Sequence, residues 1–358
     1  MASRLLVATR KGLFDLARGA AGWAVARTSF LGSPVSMVLH DGRDGGLYAA
    51  LDLGHFGVKL HRSDDDGASW SEIAAPSYAG VEGDPAPSLK LIWSLEAGGT
   101  DEPGVLWAGT IPGGLFKSED RGASWTLNRP LWDRPERASW FGGGYDQPGI
   151  HSICVHPNNS KHIAIAVSCA GVWVTRDGGA AWSLEGKGMI AAYMPPEQKD
   201  NPAIQDPHRM VQCPSAPGVY WIQHHNGIFR AGNGTQAFDE IRTALPSSFG
   251  FAVAVHPRDA QTAWFVPAQK DEFRYPVGGR FVVSRTRDGG ASFEVLTNGL
   301  PQEPAYDLVY RHGLDVDGTG AALALGSTTG GLWTSEDGGD SFTLFPVRLP
   351  PVLAVKFV

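Results

Sequence analysis

One short motif recurs along the chain at a nearly constant interval, and this repeat constrains the fold more than any other feature. Five segments share the pattern Ser/Thr-x-Asp-x-Gly-x-x-Trp/Phe, in which x is any residue. They begin at Ser63, Ser118, Thr175, Thr286 and Ser335. The period is about 55 residues, and the interval between the third and fourth motifs is twice as long. A fixed period of this order is typical of repeat architectures in which each unit is one supersecondary structure.

The doubled interval predicts a degenerate copy of the motif at its midpoint. The segment from Ala231 to Phe238 lies there, and it keeps Asn233 in place of the aspartate together with the closing aromatic residue. A second degenerate copy ends at Trp23. The chain is therefore expected to contain seven units.

Each motif predicts a tight turn between two strands. The Ser/Thr hydroxyl and the Asp carboxylate can accept backbone N–H groups of the loop, the glycine adopts a positive φ, and the aromatic side chain returns to the core. Around each turn, four short strand-like segments alternate with Gly, Pro and Asn. In the unit that ends at Trp182 they span residues 151–155, 162–167, 171–175 and 181–184.

The two ends of the chain complement each other. Residues 351–358 form only the first strand of a unit, whereas the N-terminal unit has three strands and lacks a first one. Pairing the two ends closes a ring without an exposed sheet edge. We therefore predict an all-β chain that forms one seven-bladed β-propeller over residues 1–358, with four antiparallel strands in each blade.

The repeat resembles the Asp-box, or bacterial neuraminidase repeat, of a superfamily of β-propellers. This superfamily includes sialidases, some endoglucanases, sortilin-type receptors and photosystem II assembly factors. The resemblance extends over nearly the whole chain through the motifs and their flanking strands. It implies a fold but no single activity, because one fold can carry many functions.

Two enzymatic activities of this superfamily can be compared with the chain. Sialidases carry an Arg-Ile-Pro segment near the N-terminus and three arginines that bind the substrate carboxylate. The segment is missing here, and Arg10, Arg209 and Arg274 cannot be matched to those arginines. The endoglucanases use two opposed aspartates, as two-carboxylate glycoside hydrolysis requires. Asp146 and Asp307 are the best such pair in this chain.

Composition and charge exclude some partners. The formal net charge is -7, and the acidic and basic residues are scattered, so no basic surface for nucleic acid or for an anionic membrane is expected. The apolar run near the N-terminus is too short for a signal peptide, and no segment reaches the ~18 apolar residues of a membrane span. We therefore expect a cytoplasmic protein, in which Cys154, Cys169 and Cys213 are buried free thiols.

The repeat also predicts which face of the propeller carries function. The motif turns join third to fourth strands, so the loops between second and third strands, and between one unit and the next, must lie on the opposite face. Four of these loops are long, at residues 76–87, 127–149, 185–207 and 269–279. Loops of about 20 residues without secondary structure commonly serve as lids or binding loops. We predict the ligand site on this long-loop face.

Nine of the eleven histidines fall into two groups, and the other two, His61 and His162, are expected to be ordinary strand or turn residues. At the end of first strands stand His40, His156, His256 and His312, and a residue type that recurs with the period of the fold is expected to be structural. The remaining candidates do not recur in register and map to the long-loop face, namely His55, His151, His208, His224 and His225. Alignment of the first strands also places Trp93, His151, Arg209, Phe251 and Asp307 at one level, at the mouth of the central channel.

These placements define the predicted site. The predicted catalytic residues are His151, His224, Arg209 and Asp307. The predicted substrate-binding residues are Arg10, Lys11, His55, Trp93, Trp140, Tyr145, Asp146, His225, Glu272 and Arg274. Imidazoles that converge on one point suit zinc or a similar divalent ion, and the predicted metal ligands are His151, His208 and His224.

Two interpretations of this site remain open. The polar residues could form a hydrogen-bonded plug of the channel, or they could bind a small-molecule or glycan ligand. For the second case we expect a polar ligand of anionic or sugar-like character, hydrolysed by His/Asp acid–base chemistry with or without a metal. The alternative function is that of a noncatalytic binding or assembly-factor propeller that docks a protein partner.

Overall fold

The computed structural model describes residues 2–80 and 86–358, and it consists mainly of short antiparallel strands in seven four-stranded sheets. Of the predicted loop 76–87, residues 81–85 lie outside the described part. The sheets are the seven blades of a β-propeller, which confirms the predicted fold class.

Each blade uses strands that follow one another in the chain. The N-terminal blade contains β1 (Arg4–Thr9), β2 (Gly12–Gly19) and β3 (Gly22–Ser29). The next three blades are formed by β4 (Val35–Asp41), β5 (Gly46–Asp52), β6 (Val58–Ser63) and β7 (Ser71–Ile73); β8 (Leu91–Ala97), β9 (Leu106–Ile111), β10 (Leu115–Ser118) and β11 (Thr126–Leu127); and β12 (Gly149–His156), β13 (Asn159–Ser168), β14 (Gly171–Thr175) and β15 (Ser183–Glu185).

The last three blades and the closing strand complete the fold. They contain β16 (Pro207–Cys213), β17 (Ala216–His224), β18 (Gly227–Ala231) and β19 (Asp239–Ile241); β20 (Gly250–Val255), β21 (Ala263–Pro267), β22 (Val283–Thr286) and β23 (Glu294–Leu296); and β24 (Leu314–Val316), β25 (Leu323–Gly326), β26 (Leu332–Ser335) and β27 (Thr343–Leu344). The C-terminal β28 (Val352–Phe357) pairs with β1 and becomes the first strand of the N-terminal blade. The predicted closure of the ring is confirmed.

Helices are few and short. One α-helix of four residues, α1 (Arg129–Trp132), lies in the predicted loop 127–149. The described 3-10 helices are Gly54–Phe56, Pro135–Ser139, Pro202–Ile204, Val277–Gly279 and Arg311–Gly313. None of the described helices has the length and apolar character that a membrane crossing requires.

The chain divides into two compact units. The larger unit comprises Met1–Val35, Gly188–Tyr193 and His208–Val358, and it holds four of the blades. The smaller unit comprises Ser36–Lys187 and Met194–Pro207, and it holds the other three. Within each unit, aromatic side chains fill the space between blades, as Trp264 and Trp333 do in the larger unit and Trp107 and Trp173 in the smaller one.

Burial along the strands explains their composition. Second strands such as β9 are buried along their whole length, because neighbouring blades cover both of their faces, and they read as continuous apolar runs. Fourth strands such as β7 and β23 are short and largely exposed, which limits pairing at the outer edge of each blade.

The five motif turns share one hydrogen-bond pattern. In the first turn, Ser63 Oγ accepts from the Gly67 N–H at 2.8 Å and donates to Asp65 Oδ1 at 2.8 Å, and Asp65 Oδ1 accepts from the Ser69 N–H at 2.8 Å. The other four repeat these contacts. Gly67 has a φ of 78°, which a side chain would resist. The hydrogen bond from the Ser69 hydroxyl lowers the pKa of Asp65 to about 2.

One strand assignment was wrong. The alignment placed Asp307 and the following residue Leu308 on a first strand and His312 at its end, but the first strand of that blade is β24, and His312 lies in the 3-10 helix before it. Leu308 still pairs locally, because its carbonyl accepts from the Thr328 N–H at 2.8 Å. The turn at Arg311–Gly313 inserts residues between this contact and β24, so spacing alone misplaced the strand.

Candidate functional site

Seven side chains from five segments of the larger unit meet around Phe251, and we call them the Phe251 cluster. His208 lies on β16, His225 in the turn between β17 and β18, and Phe251 on β20. The other members come from the predicted loop 269–279 and from the segment before β24. The complete cluster is His208, His225, Phe251, Asp271, Arg274, Tyr310 and Arg311.

His208 is held in one orientation by its surroundings. Its ring is buried and stacks on Phe251, with ring centroids 4.5 Å apart and an interplanar angle of 12°. Its Nδ1 lies 2.7 Å from the carbonyl oxygen of Gly250. Because a carbonyl can only accept, Nδ1 carries the hydrogen, and the lone pair of a neutral ring is then on Nε2. The stack and the hydrogen bond together fix both the ring plane and the tautomer.

His225 lies beside His208 and links it to a charged pair. The two imidazole centroids are 5.4 Å apart in an edge-to-face arrangement. His225 Nε2 lies 3.5 Å from Asp271 Oδ2, and Asp271 accepts a hydrogen bond from Arg274 at 2.7 Å. Only 16% of the His225 side chain is exposed, compared with 41% for Arg274. The chain of contacts therefore runs from a buried imidazole to a guanidinium at the surface.

Two guanidinium groups lie close to the same aromatic ring. The Cζ atoms of Arg274 and Arg311 are 5.4 and 5.9 Å from the Phe251 centroid. Such distances permit cation–π attraction. Burial acts to lower the pKa of Arg274, but hydrogen bonds with Asp271 and Tyr310 outweigh it, and the pKa is raised. Two fixed cations beside one carboxylate leave the Phe251 cluster with a positive balance that suits an anionic group.

Arg209, a predicted catalytic residue, contacts a histidine that the sequence assigned to the scaffold. Its Nη1 lies 2.9 Å from His312 Nε2. Since a guanidinium can only donate, His312 accepts at Nε2 and is neutral in this contact. His312 directly follows Arg311 of the Phe251 cluster, so Arg209 is tied to the same 3-10 helix.

His224 and His225 are adjacent in the chain but differ in their contacts. His224 is the last residue of β17, is fully buried, and packs edge-on against Phe229 at 5.2 Å. Its Nδ1 accepts from the Asn226 N–H at 3.0 Å. These contacts support the hairpin turn, whereas His225 joins the Phe251 cluster.

Asp307 lines a separate pocket in the larger unit. Its carboxylate accepts from the Ser327 hydroxyl at 2.8 Å and from the Thr329 hydroxyl. The pocket has a volume of about 270 Å³, and Trp333 and Arg348 are among its other lining residues. The two hydroxyl groups orient a carboxylate toward a space that can hold a small ligand.

The smaller unit holds another group of predicted site residues. His151 is fully buried, its Nδ1 lies 2.9 Å from Ser152 Oγ, and its ring meets Trp93 edge-on at 5.3 Å. Tyr145 packs against Trp93 at 5.1 Å. Trp140 is buried and packs on Trp173 at 5.6 Å, so it belongs to the core of this unit.

The remaining predicted residues are exposed. Glu272 forms an ion pair with Lys270 at 2.8 Å, and the hydrogen bond from that lysine lowers the pKa of Glu272. His55 contacts Phe56, with ring centroids 3.9 Å apart. The others in this group are Arg10, Lys11 and Asp146.

Four members or neighbours of the Phe251 cluster were missing from the predicted site: Asp271, Tyr310, Arg311 and His312. Asp271 lies in the predicted loop 269–279, between Lys270 and Glu272. Its carboxylate in a long loop was the one sequence feature that could have identified it. Arg311 and His312 are adjacent ionisable residues, but His312 was assigned to the scaffold because it matched the period of the repeat.

The geometry defines a seven-bladed propeller with a polar, cationic and aromatic cluster at the loops of its larger unit. No protein-family model matches the chain, and no curated protein matches it. Among solved structures, an ancestral GH74 enzyme is similar, with a TM-score of 0.61 and 18% identity over 87% of this chain. The chain spans only 38% of the length of that enzyme's chain.

Two structures of YCF48 are also similar. YCF48 from Cyanidioschyzon merolae gives a TM-score of 0.56 with 12% identity, covering 89% of this chain and 87% of that chain. YCF48 bound to a D1 peptide gives a TM-score of 0.54 with 14% identity, covering 87% of this chain and 82% of that chain. At such identities the likeness establishes the propeller fold alone.

Proposed function

We propose that the Phe251 cluster binds a small anionic, sugar-like ligand and hydrolyses it by acid–base chemistry. The observation that carries this proposal is the contact of His225 with Asp271, which Arg274 holds from the other side. An imidazole, a carboxylate and a guanidinium supply a proton acceptor, its orienting group and an anion-binding group. The similar fold of a GH74 enzyme supports a carbohydrate as the class of ligand.

The proposed chemistry assigns one role to each group. Arg274 binds the ligand carboxylate, because the guanidinium is charged and 41% exposed. His225 accepts a proton from the attacking water, and the leaving oxygen takes up a proton from solvent. Asp271 orients the ring and balances the positive charge that His225 gains. His208 limits movement of the His225 ring through its edge contact.

A matched pair of ligands tests the binding step. Glucuronate and glucose differ in their carboxylate, so isothermal calorimetry on the full chain should detect glucuronate and little or no glucose. Arg274→Gln should weaken glucuronate binding at least about tenfold, since a charge-assisted hydrogen bond contributes about 1.5–3 kcal/mol. Arg242→Gln is the control, because the Arg242 side chain is 82% exposed and pairs with Glu240. Equal binding by both variants would contradict the proposal.

The catalytic step needs its own measurement. Hydrolysis of 4-nitrophenyl β-D-glucuronide should fall by about 10²–10⁴-fold in His225→Ala, the range that a general base contributes. Binding of glucuronate should persist in this variant. An unchanged rate would remove His225 from the mechanism, and binding without any turnover would reduce the site to a binding site.

A second function has its own supporting observation. Exposed aromatic residues flank Arg274 in the chain, with Phe273 53% and Tyr275 38% exposed. Aromatic and arginine side chains are enriched at protein interfaces. The propeller would then dock an acidic peptide segment, in line with the similarity to YCF48 bound to a D1 peptide. Fluorescence anisotropy with a labelled glutamate-rich peptide tests it, and Phe273→Ala should then abolish binding.

A further inference from the structure

The pocket beside Asp307 contains two residues of opposite charge. It has a volume of about 270 Å³ and lies at the turn between β25 and β26 and at the link between β27 and β28, within the larger unit. Asp307 and Arg348 both line it. A pocket of this size holds one small molecule. We propose that it binds a free α-amino acid with an apolar side chain.

Backbone hydrogen bonds fix the segment that carries Arg348. The Phe345 N–H donates to the Leu332 carbonyl at 2.8 Å. On the other side, the Leu349 N–H donates to the Gly330 carbonyl at 3.0 Å. A Cβ at position 330 would lie 1.9 Å from the Leu349 carbonyl oxygen, so glycine is needed for this close approach. This wall of the pocket is therefore anchored both before and after Arg348.

Asp307 has one carboxylate oxygen available for a ligand. The hydroxyl groups of Ser327 and Thr329 both donate to its Oδ1. No described residue donates to Oδ2, and no described basic side chain forms an ion pair with this carboxylate. An ammonium group can therefore form a charge-assisted hydrogen bond with Oδ2 while the two hydroxyls hold the carboxylate in place.

Arg348 supplies the opposite charge. Its side chain is exposed, and within the described part of the chain it pairs neither with Asp307 nor with any other acidic residue. A guanidinium binds a carboxylate through two parallel hydrogen bonds. A purely anionic ligand would be repelled by Asp307, and a purely cationic one by Arg348. A zwitterion satisfies both residues at once.

The other walls of the pocket are apolar and select the side chain of the ligand. Leu344 and Val347 line the pocket and are 53% and 52% exposed. Trp333 and Phe345 also line it and are buried. An apolar ligand side chain would remove part of the surface of Leu344 and Val347 from water, which is favourable. The pocket therefore suits leucine or a similar amino acid.

Four small molecules test these contacts one at a time by isothermal calorimetry on the full chain. L-Leucine carries all three groups, 4-methylpentanoate lacks the ammonium, leucinamide lacks the carboxylate, and glycine lacks the side chain. L-Leucine should bind, and each of the other three should bind at least about tenfold more weakly.

Two substitutions then assign the charges. Asp307→Asn should weaken L-leucine binding at least about tenfold without weakening that of 4-methylpentanoate, which has no ammonium to lose its partner. Arg348→Gln should weaken L-leucine binding to the same extent without weakening that of leucinamide. Asp239→Asn and Arg242→Gln are the matched controls, because both change exposed residues of the larger unit outside the pocket.

The substitutions keep the fold testable. Asn can accept the hydroxyls of Ser327 and Thr329 at its Oδ1, and Arg348 is exposed, so circular dichroism should show both variants folded. No binding of L-leucine by the unaltered chain would overturn the proposal. So would unchanged affinity for L-leucine in folded Arg348→Gln, or leucinamide binding as tight as that of L-leucine.

This inference goes beyond the proposed function, because no residue of the pocket belongs to the Phe251 cluster. It gives Asp307, a predicted catalytic residue, a role in binding. The two proposals fail in different experiments. Glucuronate binding that depends on Arg274 tests the Phe251 cluster, and L-leucine binding that depends on Asp307 and Arg348 tests the pocket.

Discussion

Replacing each of two adjacent histidines by alanine should have very different effects on stability. His224 is fully buried, packs edge-on against Phe229 and accepts the Asn226 N–H at 3.0 Å. His225 is 16% exposed and contacts Asp271 at 3.5 Å. The first should behave as a core residue of the β17–β18 hairpin, and the second as a residue of the site.

The structure sets the size of each effect. In His224→Ala the Asn226 N–H loses its acceptor, which costs about 1–3 kcal/mol. Removal of a buried ring also leaves a cavity, for which a cost of about 2 kcal/mol is a low value among large-to-small substitutions. We therefore expect a loss of about 3–5 kcal/mol. A partly exposed polar contact of this kind contributes about 0–1 kcal/mol, so His225→Ala should change stability little.

Urea unfolding followed by tryptophan fluorescence measures both losses. The free energies are comparable only if the unaltered chain and both variants unfold with one transition and the same dependence on urea. His224→Asn provides a partial rescue, because its amide oxygen can accept the Asn226 N–H. Equal losses for His224→Ala and His225→Ala would refute this division of roles. So would an Asn variant no more stable than the Ala variant.

Three further predictions concern the scaffold. Ser63→Ala should cost about 1–3 kcal/mol in urea unfolding because the buried Gly67 N–H loses its acceptor, and an effect below that of Asp65→Asn would contradict it. Arg285 is 4% exposed and pairs with Glu294 and with other acceptors, so Arg285→Met should lower the unfolding free energy, and a more stable variant would contradict this. The pKa of Asp65 is lowered to about 2 by the Ser69 hydroxyl, so its stabilisation is complete above the unfolded value near 4 and is lost as the pH falls toward 2. Unfolding between pH 5 and 2 should therefore show a smaller decline in Asp65→Asn than in the unaltered chain.

The blades could be predicted because their determinants are local. Each motif turn is stabilised within about eight residues, as Ser63, Asp65 and Gly67 illustrate, so the motif alone specifies the turn. The closing strand could be predicted by counting the strands in each unit, because β28 had no partner within its own unit. The displaced first strand β24 could not be counted in this way, because the 3-10 helix at Arg311–Gly313 interrupts the period.

The Phe251 cluster was predicted only in part, because its contacts are long-range. His208, His225 and Arg274 were selected as polar residues at loops, and the structure brings them together around Phe251. Asp271 has no counterpart at a repeat position, and the repeat could not indicate which residue its carboxylate meets. The position of a residue relative to the repeat therefore identified candidate site residues. Their contact partners could not be predicted in this way, because they depend on how separate blades pack.

Their positions on the β17–β18 hairpin distinguish His224 from His225. Successive side chains of a strand point to opposite faces, so two adjacent histidines at a strand end cannot both face one site. His224 pairs with Gly227 as the last rung of the hairpin, and His225 is the first residue of the turn. One of the two therefore supports the hairpin while the other joins the Phe251 cluster. The same alternation applies to His208 and Arg209 on β16, where His208 stacks on Phe251 and Arg209 meets His312. His224 and His208 each form a hydrogen bond with a backbone group. Their neighbours His225 and Arg209 each contact an ionisable side chain.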